Sequence, residues 1–353
     1  MITCIPFGKQ ESPMNRLRVC YVTVFAVMAM AFTTVASAPL PPVITPENAG
    51  HLKELAQAGA SSLRDAAFSP DGSQIAVGSG NDADFGVTFL KSDGLAVQST
   101  AAMTGIVWDI AYSPDGLYLV SAANDTGGKR LRVWNPKDGS QVIALDGPYV
   151  ASSVAFSPDG SRLAVGGLDD AMKGVIWIYD TQNWAVVMQL KTANQNITAM
   201  AYTPDGRRLV SGGTDGMIHV WSTADGKQVK AFSIGGQANR LAISADGRML
   251  ASSFCKQTNA SGCSKGGVAV WDTASWTVIT KFEDLAECLA FSPDSRLLVT
   301  GSGQNDAVMR FRRVGDWELT NTIAGDTRGV ALSPDGRRLV SVEWETVHLW
   351  GIP

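Results

Sequence analysis

Ile197-Thr198-Ala199-Met200-Ala201-Tyr202 alternates as a strand, Thr203-Pro204-Asp205-Gly206 turns the chain, and Arg207-Arg208-Leu209-Val210-Ser211-Gly212 returns. Thr214-Asp215-Gly216 then reads as a tight hairpin and Met217 to Trp221 as a third strand. Ala224-Asp225-Gly226 is a second turn, and Lys227 to Phe232 a fourth strand. Pro presets the first turn angle of the tetrad and Gly tolerates positive φ, so this stretch predicts one antiparallel four-stranded sheet.

The same phrase recurs along the chain. Tetrads stand at Ser69-Pro70-Asp71-Gly72, Ser113 to Gly116, Ser157 to Gly160, Thr203 to Gly206, Ser244-Ala245-Asp246-Gly247, Ser292-Pro293-Asp294-Ser295 and Ser333 to Gly336, spaced 44, 44, 46, 41, 48 and 41 residues apart. A period in the forties means one four-stranded unit per repeat, and an array that closes on itself keeps 353 residues in one body. Each third strand carries a large ring near its end: Phe89, Trp134, Tyr179, Trp221, Trp271, Phe311 and Trp350. Such a ring fills the space between neighbouring sheets, since one sheet cannot bury both faces alone. Trp184, Trp276 and Trp317 recur beside the turns into fourth strands and read as covers for the sheet edges.

Val270-Trp271-Asp272, the Val-Trp pairs at 133–134 and 220–221, and first-strand phrases such as Val154-Ala155-Phe156-Ser157-Pro158-Asp159-Gly160 are similar to those of the WD-repeat β-propeller family. The resemblance covers roughly residues 50 to 353. It implies an all-β fold, a seven-bladed propeller of four-stranded antiparallel blades. The last repeat shows three strands, ending with Thr346 to Trp350. The resemblance implies that His51 to Ala58, which matches the fourth strands in place and length, closes that seventh blade. A Thr45-Pro46-Glu47-Asn48 stretch ahead of it predicts a short helical turn. One departure is plain. The family's Gly-His dipeptide before the first strand is missing: Gly50-His51 lies too early, and His219 and His348 fall in third strands. Trp108-Asp109 falls in a first strand and is no counterpart of the family's Trp-Asp ending.

Residues 1–38 read as an export signal, with translation starting at Met1 or Met14. Asn15-Arg16-Leu17-Arg18 is a basic start, Val19 to Val35 an apolar core, and Ala36-Ser37-Ala38 the small residues a peptidase reads. Cleavage releases a soluble protein; an uncut signal leaves a membrane anchor. Either outcome puts the remainder, a lead-in at 39–50 and the propeller at 51–353, outside the cytoplasm: periplasmic, cell-surface or secreted. Cys255 and Cys263, eight apart in one long hairpin loop, are expected to form a disulfide there, restricting the unfolded chain by about 2–3 kcal/mol. Cys288 is expected to stay a buried thiol. The irregular Cys255 to Gly267 segment reads as a loop insertion, the place where specificity in a repeat array often resides.

No nucleophile elbow, phosphate-cradling loop or histidine-based metal spacing occurs, so an enzyme is disfavoured and no cofactor or metal is expected. A net charge of −4 argues against nucleic acid. Candidate binding residues are the acids of the loops between second and third strands: Asp82, Asp84, Asp125, Asp169, Asp170, Asp215 and Asp306. Converging on one rim, they would suit a basic partner segment or a cation; the competing account is turn chemistry, in which each Asp binds its own backbone. The expected function is a non-catalytic scaffold of the cell envelope or exterior that binds a protein or peptide. The alternatives are an envelope propeller resembling that of the Tol system and a propeller hydrolase or lactonase with a central metal.

Overall fold

Each tetrad closes through its own hydroxyl. Ser69 Oγ donates to Asp71 Oδ1 at 2.6 Å, and the same bond recurs in the other six tetrads from Ser113, Ser157, Thr203, Ser244, Ser292 and Ser333. The hydroxyl also accepts the backbone N–H five residues on, as Arg162 N to Ser157 Oγ at 2.9 Å, which locks the return strand in register. The fourth tetrad position has φ near +70° in six repeats; in the remaining one Ser295 takes it at +59°. Ser295 Oγ accepts the Asp246 backbone N–H from the preceding repeat at 3.1 Å, a bond that glycine lacks and that offsets the strain.

The computed structural model describes residues 40–80, 86–123, 129–192, 196–260 and 262–353. These form seven four-stranded antiparallel sheets in a β-propeller. Blade 1 runs from Leu63–Phe68 to Val97–Ala102, blade 2 from Val107–Tyr112 to Gln141–Leu145, blade 3 from Val150–Phe156 to Val186–Lys191, and blade 4 from Ile197–Tyr202 to Gln228–Ser233. Blade 5 runs from Gln237–Ile243 to Thr277–Phe282 and blade 6 from Cys288–Phe291 to Leu319–Ala324. Blade 7 combines Gly329–Leu332, Arg338–Val342 and Thr346–Gly351 with the N-terminal strand Lys53–Gly59, whose register places Ala58 opposite Val347. This seam closes the ring. The helical turn ahead of it is 3-10 at Ala49–His51, so the closing strand begins at Lys53 rather than His51. Each first strand neighbours the first strands of both flanking blades, which makes them the channel wall.

Apolar packing lies between blades, and the third-strand rings occupy it in two ways. Trp134, Tyr179, Trp221, Trp271 and Trp350 share one register, opposite a Leu of the second strand, and each faces the preceding blade. Phe89 and Phe311 stand one residue earlier, opposite Ala76 and Val299, and so face the following blade. Period-two alternation makes that single step a change of face. The ring slot of blade 1 is therefore filled by Leu90, and that of blade 6 by Arg312, opposite Leu298. Arg312 lies 4.3 Å over the Phe282 ring of blade 5 and pairs with Asp284.

Hydroxyl and indole pair inside several blades. Trp134 Nε1 donates to Ser121 Oγ at 2.9 Å, Trp221 Nε1 to Ser211 Oγ at 2.9 Å, and Trp350 Nε1 to Ser341 Oγ at 2.8 Å. The turn tryptophans cover edges as expected: Trp184 meets Tyr118 at 5.5 Å, Trp276 meets Phe232 at 6.1 Å, and Trp317 meets Phe282 at 6.0 Å, each on the preceding blade.

Cys255 and Cys263 are joined by a disulfide with Cα atoms 5.7 Å apart. The segment around them is not a loop. The second and third strands of blade 5 extend to Met249–Asn259 and Gly262–Asp272, pairing as far as Asn259 opposite Gly262. Continued backbone pairing and the crosslink turn the insertion into a projecting β-arm. Asn305 of blade 6 donates to the Cys263 carbonyl at 2.9 Å and bonds Asn259, steadying the arm. Cys288 is a buried thiol whose ionisation burial pushes far up.

Candidate binding site at the channel mouth

In blades 1 to 5 the pairing of first and second strands slips by one residue at the same place, between Leu63 and Asp65, Val107 and Asp109, Ala151 and Ser153, Ile197 and Ala199, and Ala238 and Arg240. A residue bulged out of a ladder is re-aimed. The bulged residues are Arg64, Trp108, Ser152, Thr198 and Asn239. Glu287 and Arg328, just ahead of the first strands of blades 6 and 7, complete the set. All seven line one cavity of about 390 Å³, with Cys255, Thr258 and Cys263 of the β-arm on its rim. Every one of them lies five residues before its tetrad.

One side of this mouth is cationic and aromatic. The Arg64 guanidinium lies 5.1 Å from the Trp108 ring centroid and 5.4 Å from that of Trp344, the latter in the turn between the second and third strands of blade 7. Arg328 lies 4.6 Å over the same Trp344 ring and pairs with Asp326 at 3.4 Å. Burial, then the Arg328 charge, holds Arg64 below the usual arginine range, with Glu287 opposing. Burial pushes the Glu287 carboxyl up against the pull of Arg328 and Arg64. Ser152, Thr198 and Asn239 make the other side neutral and hydrogen-bonding.

Below the mouth, Arg240 of blade 5 reaches Asp65 and Asp109 of blades 1 and 2, at 3.9 Å each. The carboxylates also accept backbone N–H groups, Asp65 from Ile110 at 3.3 Å and Asp109 from Val154 at 2.8 Å. Burial pushes Asp65 up, with Arg240 opposing and Asp109 adding. The two acids are thus spent on Arg240 and on neighbouring strands, and the bridge floors the cup. Among the described residues no three His, Cys, Asp or Glu side chains group as a metal site.

Of the acids proposed from sequence, Asp169, Asp215 and Asp306 are claimed by local partners. Asp169 accepts the Ala171 and Lys173 N–H groups at 2.9 Å each. Asp215 accepts the Met217 N–H at 2.9 Å and pairs with His219 Nε2 at 3.2 Å. Asp306 pairs with Arg310 at 2.7 Å, and Asp170 is exposed. Asp82, Asp84 and Asp125 lie outside the described residues. A wider groove of about 660 Å³ separates blades 3 and 4 on the opposite, tetrad-bearing face. Its charged groups are paired in place, Arg162 with Asp180 and Asp159 with Ser157 and Ser161.

The sequence matches the WD domain, G-beta repeat model over residues 97–135, 139–174, 184–222 and 283–310. It is 33% identical over 105 residues to a WD repeat-containing protein of Synechocystis sp., covering 30% of this chain and 29% of that one. SEC12-like protein 1 of Arabidopsis thaliana is 26% identical over 155 residues, covering 42% of this chain and 38% of its own length. The chain thus spans less than two fifths of these curated relatives. In three dimensions it superposes on the β-propeller domain of Cps50 (Swd1) from Myceliophteria thermophila with a TM-score of 0.69 and 16% identity, covering 86% of this chain and all of that domain. Such propellers are generally non-enzymatic scaffolds that bind protein partners. By its repeats and by its ring of seven four-stranded blades, the chain is a WD-repeat β-propeller.

Proposed function

We propose that the protein is an exported, non-catalytic scaffold that docks a protein partner at the channel mouth. The observation that carries this reading is the ring at the mouth: seven blades deliver one side chain each, five of them from a bulge, at a common sequence offset into one cavity. Rigid first strands hold those groups, so docking orders little protein. The ring mixes two Arg, one Trp, one Glu and three small polar residues, a composition suited to recognition and without a nucleophile and base in contact. The Cys255–Cys263 crosslink supports a location outside the reducing cytoplasm, in line with the signal-like residues 1–38.

Affinity capture from envelope extract with three forms of the protein tests this reading. Ser152→Trp fills the mouth and should abolish capture that the wild type and Lys137→Trp, altered on the opposite face, both retain. Equal capture by all three forms overturns the assignment.

A further inference from the structure

We infer that the segment the mouth receives is acidic, a side-chain carboxylate of a partner polypeptide seating against Arg64 and Arg328. This inference rests on the mouth being the docking face. Arg64 lies over the rings of Trp108 and Trp344, and among the described residues it has no hydrogen bond or ion pair. Its Nε lies buried without an acceptor, as does the Nε of Arg328. An indole takes the face of a guanidinium and leaves its edge, and that edge is a planar fork matched to a carboxylate. Two such forks therefore stand beside one cavity and share the Trp344 ring; among the described residues Arg64 has no carboxylate partner, while Arg328 holds Asp326 through one terminal nitrogen at 3.4 Å and leaves its Nε without an acceptor. Burial and mutual repulsion both weigh against the Arg64 charge. An anion placed between the pair screens the repulsion and offsets the cost of burial with its own charge.

Glu287 is the resident carboxylate of the ring, yet it makes no hydrogen bond to either arginine. It acts on them at a distance and competes with an incoming acid. Ser152, Thr198 and Asn239, across the cavity, offer hydrogen bonds to the backbone of the same segment. A polypeptide fits better than a nucleic acid. The cationic surface is one cluster of two arginines rather than a stripe, which leaves a phosphate backbone few contacts.

The test is selection of a random dodecapeptide display library on the full-length protein, followed by fluorescence anisotropy of the enriched sequences as end-blocked synthetic peptides. The inference expects enrichment of Asp and Glu, and affinity falling roughly tenfold in Arg64→Gln and in Arg328→Gln. Arg248→Gln, which removes the same charge from the opposite face, should change nothing, and Glu287→Gln should tighten binding. Arg64→Lys keeps the charge without the fork and should retain part of the affinity, which covers the case in which Arg64→Gln fails to fold. Peptides without acidic enrichment, acidic peptides indifferent to both arginine substitutions, or a preference for a single-stranded oligonucleotide overturn the inference. Non-acidic peptides that Ser152→Trp displaces remove the acidic chemistry and leave the docking face standing. If no enriched peptide responds to Ser152→Trp, the docking reading falls as well.

Discussion

His348 Nδ1 stands 3.2 Å from the Glu54 carboxylate, joining the third strand of blade 7 to a strand 294 residues away in sequence. Around that contact Ala56, Ala58 and Ala60 pack on the core shared by Leu63, Val340 and Val347. The seam replaces two sheet edges with a continuous ladder.

The seam makes the N-terminal strand part of the folding unit. Ala58→Asp sets a carboxylate against that core and should lower the unfolding free energy by about 2 kcal/mol or more. Gln57→Asp, at the adjacent exposed position, should stay within about 0.5 kcal/mol of wild type. Urea unfolding of the two variants decides the matter, and equal midpoints would count against closure.

Ser211 and Ser252 occupy the same register in blades 4 and 5, but only Ser211 receives an indole N–H; Ser252 Oγ is buried without a partner. Ser211→Ala should cost about 1–2 kcal/mol, because Trp221 Nε1 loses its acceptor. Ser252→Ala should be neutral or slightly stabilising, since it removes an unsatisfied hydroxyl. Thermal melts of the pair provide the comparison.

The hydrogen bond that His219 donates to the Asp215 carboxylate raises the imidazole above its usual range, with burial opposing and Gln228 adding. A pKa higher in the folded chain than in the unfolded one gives stability that is fully present below the unfolded value. That stability is lost as pH rises through the folded value. His219→Ala should therefore cost more at pH ~5.5 than at pH ~9, by about 1 kcal/mol. Denaturant titrations at both pH values measure the difference; a cost that grows with pH contradicts the pairing.

The architecture was legible because every repeat advertises itself through a hydroxyl and an aspartate whose bonds are local, with a proline between them in six of the seven. The single-step shift of Phe89 and Phe311 was not, since a large ring near a strand end looks alike in either register. The mouth was missed for a related reason. Arg64, Trp108, Ser152, Thr198, Asn239, Glu287 and Arg328 share no residue type, and a bulge writes no motif. Stacking the seven repeats on their tetrads would have exposed a column, five residues upstream, that varies while the small apolar residues three places further on recur. The acids were noticed instead, although Asp169, Asp215 and Asp306 are engaged by their own turns and strands.

Site-specific photo-crosslinking in the native compartment tests most directly whether the mouth is the docking face. A benzophenone amino acid placed at Ser152 should give a discrete adduct with a partner protein, and the same probe at Lys137, on the opposite face, should give none. An adduct from Lys137 with none from Ser152 would contradict the account.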